Sequence, residues 1–162
     1  ISIEGLGSLN SIGSHITISE NASLPSLEGL NNLSNAGGDI FIEANEQLSQ
    51  IAGFVRLENL EGDLQISNNN MLSSLEGFQA LAIIGGFLSL ENNQLQNLQG
   101  LESLKTIGAD LNIINNVIHN QNRSGCRNII CGQHEGSGHG CNCRVHSAMG
   151  AILPLSISIS LR

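Results

Sequence analysis

The chain has 162 residues, 40% of them apolar, with four Phe and neither Trp nor Tyr. Six Lys plus Arg stand against 14 Asp plus Glu, a net charge of −8. So few cations exclude nucleic acid, whose binding relies on cationic contacts to phosphates, and an anionic membrane surface for the same reason.

The length is enough for one domain with a real core. A compact irregular core usually carries more aromatic mass, whereas a core of near-identical aliphatic layers can do without it. No run of 18 apolar residues occurs, so no transmembrane helix is expected. The chain opens on Ile1 without Met or a signal peptide, at the first position of a repeating segment. It therefore reads as a mature or trimmed piece of a longer precursor.

Five segments align as internal repeats: 1–24, 25–48, 49–72, 73–95 and 96–118. The third position holds Ile3, Leu27, Ile51, Leu75 and Leu98, and the fifth is always glycine: Gly5, Gly29, Gly53, Gly77 and Gly100. Aliphatic or Phe residues fill the sixth, ninth and twelfth positions (Leu6, Leu9 and Ile12 in the first repeat). The Leu9-type and Ile12-type positions, three apart, predict a helical turn or a bend. A Gly pair, Gly37-Gly38 or Gly85-Gly86, predicts a tight corner. The alternating stretch Asp39-Ile40-Phe41-Ile42-Glu43 predicts a strand with one face inward. Equivalent strands should stack in parallel at about 4.8 Å per coil.

An asparagine column completes each repeat: Asn21, Asn45, Asn69, Asn93 and Asn116. Its amides are expected to turn inward and bond the corner and the neighbouring coil. The Ser-Leu-Glu-Gly-Leu segment is a second short strand or a turn, and Glu4, Glu28 and Glu76 form a solvated edge. The fold class is thus mainly β: a parallel, right-handed, leucine-rich solenoid over 1–118, followed by a Cys-rich tail. The repeated columns serve stacking, so function belongs to positions that vary.

Asp39, Asp63 and Asp110 share one column, interrupted by His15 and Phe87. Stacked carboxylates can hold Ca²⁺, but the column is broken and unaccompanied, so each Asp is read as capping a turn through local backbone. No metal and no cofactor is assigned. Three glycosylation sequons begin at Asn21, Asn32 and Asn122. Asn32 precedes an inward Leu and should point out, and Asn122 lies in the tail. Asn21 belongs to the asparagine column and cannot carry a glycan if that column is buried.

The recurring Ser-Leu-Glu-Gly-Leu and Ile-Gly-Gly-Asp-Leu-x-Ile-x-Asn-Asn pattern resembles the receptor L-domain. Segments 25–42 (PSLEGLNNLSNAGGDIFI) and 73–93 (SSLEGFQALAIIGGFLSLENN) carry it best. The resemblance covers about 1–118 and implies an extracellular, non-catalytic module for binding or structure. It transfers no ligand-contacting residue, and the tail from His119 departs from the family's usual ending.

The tail divides into a Gly/Cys/His-rich loop segment, 119–150, and a terminal strand or tail, 151–162. Cys126, Cys131, Cys141 and Cys143 all lie there, with His134, His139 and His146 among them. Two disulfides in an oxidising compartment, with three connectivities, compete with a zinc site and with free thiols. The cysteine spacings of four, nine and one residues match no common zinc module, which favours disulfides. From Leu153 the chain alternates apolar and Ser, a strand signature. That strand is expected to cap the last coil, to join a neighbouring subunit, or to be a remnant of a glycolipid-anchor signal.

Functionally, the expectation is a recognition or adhesion module at the cell surface with a protein or glycan ligand. The alternative is a structural subunit of an extracellular filament or surface layer that self-associates by its coil ends or terminal strand. An enzyme is not expected, because no His-Glu or Ser-His-Asp set is present.

Overall fold

The computed structural model describes residues 2–118 and three strands of the tail, 129–132, 142–145 and 157–161. Within 2–118 each repeat contributes two strands. The shorter are β1 (Ser11–Ile12), β3 (Asn35–Ala36), β5 (Asn59–Leu60), β7 (Ile83–Ile84) and β9 (Thr106–Ile107). The longer are β2 (Ile16–Ser19), β4 (Ile40–Glu43), β6 (Leu64–Ser67), β8 (Leu88–Glu91) and β10 (Leu111–Asn116). The short strands stack in the order β1-β3-β5-β7-β9 and the long ones in the order β10-β8-β6-β4-β2. Every pairing is parallel and advances by one repeat, so Ile16 sits beside Ile40, Leu64, Leu88 and Leu111 in turn. The fold is a parallel β-solenoid, as the repeat columns require.

The inward columns make a ladder-like core between the two sheets. Leu27, Leu33, Ile40, Ile42, Leu57 and Leu64 are fully buried, as are their equivalents in the middle coils. The two aromatic substitutions in the sixth column, Phe54 and Phe78, stack with centroids 5.0 Å apart and planes 7° from parallel. Identical positions one coil apart can do this because register is fixed.

The Ser-Leu-Glu-Gly-Leu segments form 3-10 turns at Glu4–Leu6, Glu28–Leu30 and Glu76–Phe78. Their glutamates are exposed, matching the solvated edge. Of the helical turn or bend expected from the ninth and twelfth positions, the helical turn does not join them. The turn closes at the ninth position, where Leu9 N–H donates to Leu6 O at 2.8 Å. The chain is then extended through Ser11–Ile12 and its equivalents. Two inward side chains three apart thus come from a turn followed by a strand.

The glycine column has a single cause. A Cβ on Gly29, Gly53, Gly77 or Gly100 would overlap the carbonyl oxygen of Ile3, Leu27, Ile51 or Leu75 in the preceding coil. Only Gly100 also has a left-handed backbone, φ +102°. The Gly pairs serve the corner expected of them, Gly37-Gly38 forming the bend between β3 and β4 and Gly85-Gly86 the bend between β7 and β8. Gly37, Gly38, Gly85 and Gly86 are not left-handed. Their absent Cβ atoms make room for the coil beneath, as where Gly85 meets the Glu61 carbonyl.

The Gly-rich tail segment, expected as loop, contains two antiparallel strands, β11 (Ile129–Gly132) and β12 (Asn142–Val145). Their apolar residues (Ile129, Ile130, Val145) supply strand propensity that the surrounding glycines masked. The terminal strand β13 (Ile157–Leu161) pairs in parallel with β10, Ile157 beside Leu111 and Ile159 beside Ile113. It lies beside the last coil's long strand.

Gly77→Ala should lower unfolding free energy by about 2–3 kcal/mol, the scale of overpacking. Gly5→Ala should change it by less than about 0.5 kcal/mol, since nothing lies within 4 Å of a Cβ there. Paired urea melts measure both.

Candidate functional site

The long sheet turns two columns of side chains outward. One runs Thr17, Phe41, Gln65, Ser89, Asn112, and the other Ser19, Glu43, Ser67, Glu91, Ile114. Four coil steps at about 4.8 Å span about 19 Å. Thr17 is exposed, Phe41, Gln65 and Asn112 are half-buried, and Ser89 is buried between its neighbours. Ser89 Oγ donates to Glu91 Oε1 at 2.5 Å. The Ser67 hydroxyl is buried with no hydrogen-bond partner.

Two ladders border this face. On one side the chain turns a corner through Glu20, Ala44, Asn68, Asn92 and Asn115, all left-handed with φ between 53° and 59°. That conformation is costly for most L-residues and least so for Asn. The exposed amides chain together, Asn92 Nδ2 donating to Asn68 Oδ1 at 3.0 Å and Asn115 Nδ2 to Asn92 Oδ1 at 2.8 Å.

The next residue at each corner is the repeated asparagine, and it points inward as expected. Asn45, Asn69, Asn93 and Asn116 are buried. Asn69 shows the pattern. Its Nδ2 donates to Ile42 O and Ser67 O, both at 3.0 Å, and its Oδ1 accepts the Asn45 backbone N–H at 3.0 Å. Asn45 Oδ1 accepts from Asn21, and Asn93 Oδ1 from Asn69, in the same way. The last step differs. Asn116 Nδ2 donates to Leu90 O and Ile114 O, but its buried Oδ1 has no partner. That step spans 23 residues where the others span 24.

On the other border lies the interrupted aspartate column. Asp39 Oδ1 accepts the Asp63 N–H at 2.8 Å, and Asp63 Oδ1 accepts the Phe87 N–H at 2.9 Å. The reading of local capping is corrected for Asp39 and Asp63, whose carboxylates accept the backbone N–H of the following coil and not of their own turn. His15 continues the column at its start, its Nδ1 lying 3.2 Å from the Asp39 N–H nitrogen and 3.0 Å from Asp39 Oδ2. With these carboxylates bound to backbone, no group of three His, Cys, Asp or Glu converges among the described residues.

The other predicted residues separate. Asn32 is exposed, and its Nδ2 donates to Gly7 O at 2.6 Å. Asn21 is half-buried, with its Nδ2 engaged by Ser19 O at 2.9 Å and Asn45 Oδ1 at 3.0 Å. Asn122, Cys126 and Cys141 lie outside the described residues. Cys131 and Cys143 are directly opposed on β11 and β12. Two depressions, of about 70 and 270 Å³, both lie at the first coil. No helix among the described residues is long and apolar enough to cross a membrane. Sequence reasoning missed the left-handed corner residues and their outer amide ladder; the Asn-Asn pairs at 68–69, 92–93 and 115–116 were the available signal.

Compared with family models, curated proteins and solved structures, the chain finds no match in any of the three.

Asn69→Ala would orphan the Asn45 N–H and the Ile42 and Ser67 carbonyls, and should cost about 3 kcal/mol, roughly 1 kcal/mol per buried group. Ala44→Asn should stabilise the fold by about 1 kcal/mol, because Asn tolerates the left-handed corner better than Ala. Equilibrium unfolding reads both changes, and they have opposite signs.

Proposed function

We propose that this chain is a non-catalytic recognition or adhesion module displayed outside the cell, which takes a protein or glycan across the outward face of the long sheet. The observation that carries this reading is a contrast between two columns of the same strands. The inward column, Ile16, Ile40, Leu64, Leu88 and Leu111, repeats one chemistry, whereas the outward column, Thr17, Phe41, Gln65, Ser89 and Asn112, has five different residues. Stacking explains the first and places no demand on the second.

The face offers hydroxyls, amides and one aromatic ring, groups that bond hydroxyl-rich or amide-rich partners and stack on apolar ones. Both depressions, about 70 and 270 Å³, lie below the about 300–1,000 Å³ of an enclosed small-molecule pocket, the larger one narrowly, and both are at the first coil rather than on this face. A broad ligand suits such a surface better than an engulfed one. The resemblance to receptor L-domains, the exposed Asn32 sequon and the clustered cysteines support an extracellular setting.

In that setting Cys131 and Cys143 pair. Directly opposed antiparallel residues have Cα atoms about 4.5–5.5 Å apart, inside the about 4.4–6.8 Å that a disulfide spans. Each bond forms as two thiols give up two electrons and two protons to a disulfide oxidant of the compartment.

A binding screen against arrayed glycans and surface proteins tests the reading. A ligand should emerge whose affinity falls at least about tenfold in Phe41→Ala, about 1.4 kcal/mol, with the melting curve kept. Loss of binding from Asn59→Ala on the opposite sheet, with Phe41→Ala silent, would move the site off this face. Unreduced peptide mapping should recover Cys131 linked to Cys143; a Cys126–Cys131 link contradicts the pairing.

A further inference from the structure

We infer that the outward face of the long sheet holds a seat for a lysine side chain of a protein partner, formed by Glu43, Ser67 and Glu91. The inference rests on the recognition reading of this face and names the chemistry that the face takes.

Glu43, Ser67 and Glu91 are successive members of one outward column, on β4, β6 and β8. They follow one another at about 4.8 Å per coil, so the hydroxyl lies between the two carboxylates. Glu43 is exposed and Glu91 half-buried, while Ser67 is only 3% exposed. Ser67 Oγ is sealed from solvent in the free chain and makes no hydrogen bond. Such a group is uncommon, because it gives up its bonds to water and gains none in return.

The carboxylates beside it are half used. Glu43 Oε1 accepts from Asn68 Nδ2 at 3.2 Å, and Glu91 Oε1 accepts from Ser89 Oγ at 2.5 Å. The second oxygen of each has no donor, and neither carboxylate pairs with a cation among the described residues. The chain carries few cations near them. Of its six Lys and Arg only Arg56 and Lys105 precede residue 119, and neither is on a long strand. Of its 14 acidic residues only Glu135 lies beyond that point.

Three acceptors in one column thus lack a donor: Glu43 Oε2, Ser67 Oγ and Glu91 Oε2. A lysine ammonium has three N–H donors around one compact charge, on a flexible stem. Seated over Ser67, with the exposed Glu43 side chain turned aside to admit it, it gives one donor to each acceptor. It also brings the countercharge that the carboxylates lack. A guanidinium favours both oxygens of a single carboxylate, and here one oxygen of each is already engaged. Ca²⁺ takes about 6–8 oxygens, more than these three side chains supply. A sugar hydroxyl would bond Ser67 but leave both charges uncompensated.

NMR titration of the isotope-labelled intact chain with the peptide acetyl-Gly-Lys-Gly-Lys-Gly-amide at low ionic strength tests this. The same peptide with its lysines acetylated is the neutral control. The backbone N–H signals of Glu43, Ser67 and Glu91 should shift with the first peptide and not with the second. Ser67→Ala should weaken binding about fivefold with the melting temperature unchanged or raised, since the deleted hydroxyl has no bond in the free chain. Glu43→Gln with Glu91→Gln should weaken it about tenfold or more. Glu58→Gln with Glu61→Gln, the same change of charge beside β5, should leave it near the parent's. Equal weakening by the two pairs overturns the inference, as does parental affinity in Ser67→Ala. So do the same shifts from calcium chloride alone at lower concentration. These failures would leave recognition by the face standing, because Phe41→Ala and the array screen test that reading without the seat.

Discussion

Each coil rests on the backbone of the coil before it, and the contact is so close that one Cβ per repeat must be absent. The fifth-position glycines leave the third-position carbonyl of the neighbouring coil a place to sit. Once that approach is fixed, the inward columns align, because a parallel register cannot slip by one residue without turning every Leu and Ile to water. The stacked sheets, the layered aliphatic core and the outward face all depend on it.

A second constraint acts at the corner. Five residues with side chains adopt a left-handed backbone there, a conformation with a cost of about 1 kcal/mol or more for L-residues. The buried asparagine beside each corner over-determines the turn by bonding its own strand, the neighbouring coil's carbonyl and that coil's N–H. Polar groups so deep in an apolar core are tolerable because their bonds are complete. The exception is the last step, where Asn116 Oδ1 has no partner. Repeat length changes at that same step, although the outer ladder keeps its bond there, Asn115 Nδ2 donating to Asn92 Oδ1 at 2.8 Å.

Much of this was legible from the chain alone. Column identity placed Leu27, Leu33 and Ile40 inside, turned Asn45 and Asn69 inward and made 40–43 a strand. What escaped were features set by neighbours 24 residues away. The Gly37-Gly38 pair was legible as a corner, but a sequence does not show the neighbouring coil that its absent Cβ atoms admit. The carboxylates of Asp39 and Asp63 looked local because their acceptor role belongs to the following coil. Leu9 and Ile12 fitted a helical turn or a bend because a turn followed by an extended segment mimics that spacing. On the outward face, sequence marked which positions vary, but Phe41 and Gln65 became one surface only when register set them side by side.

Amide hydrogen exchange tests most directly the claim that inter-coil backbone contact and the asparagine ladder organise this chain. The backbone N–H groups of Asn45 and Asn69 lie at corners, yet each donates to a buried amide oxygen of the next coil. They should exchange as slowly as the N–H groups of Ile40 and Leu64 within the long strands, which bond across coils to Asp63 O and Phe87 O. Exchange of the two asparagine amides at the rate of open turns, with the strands still protected, would contradict the account.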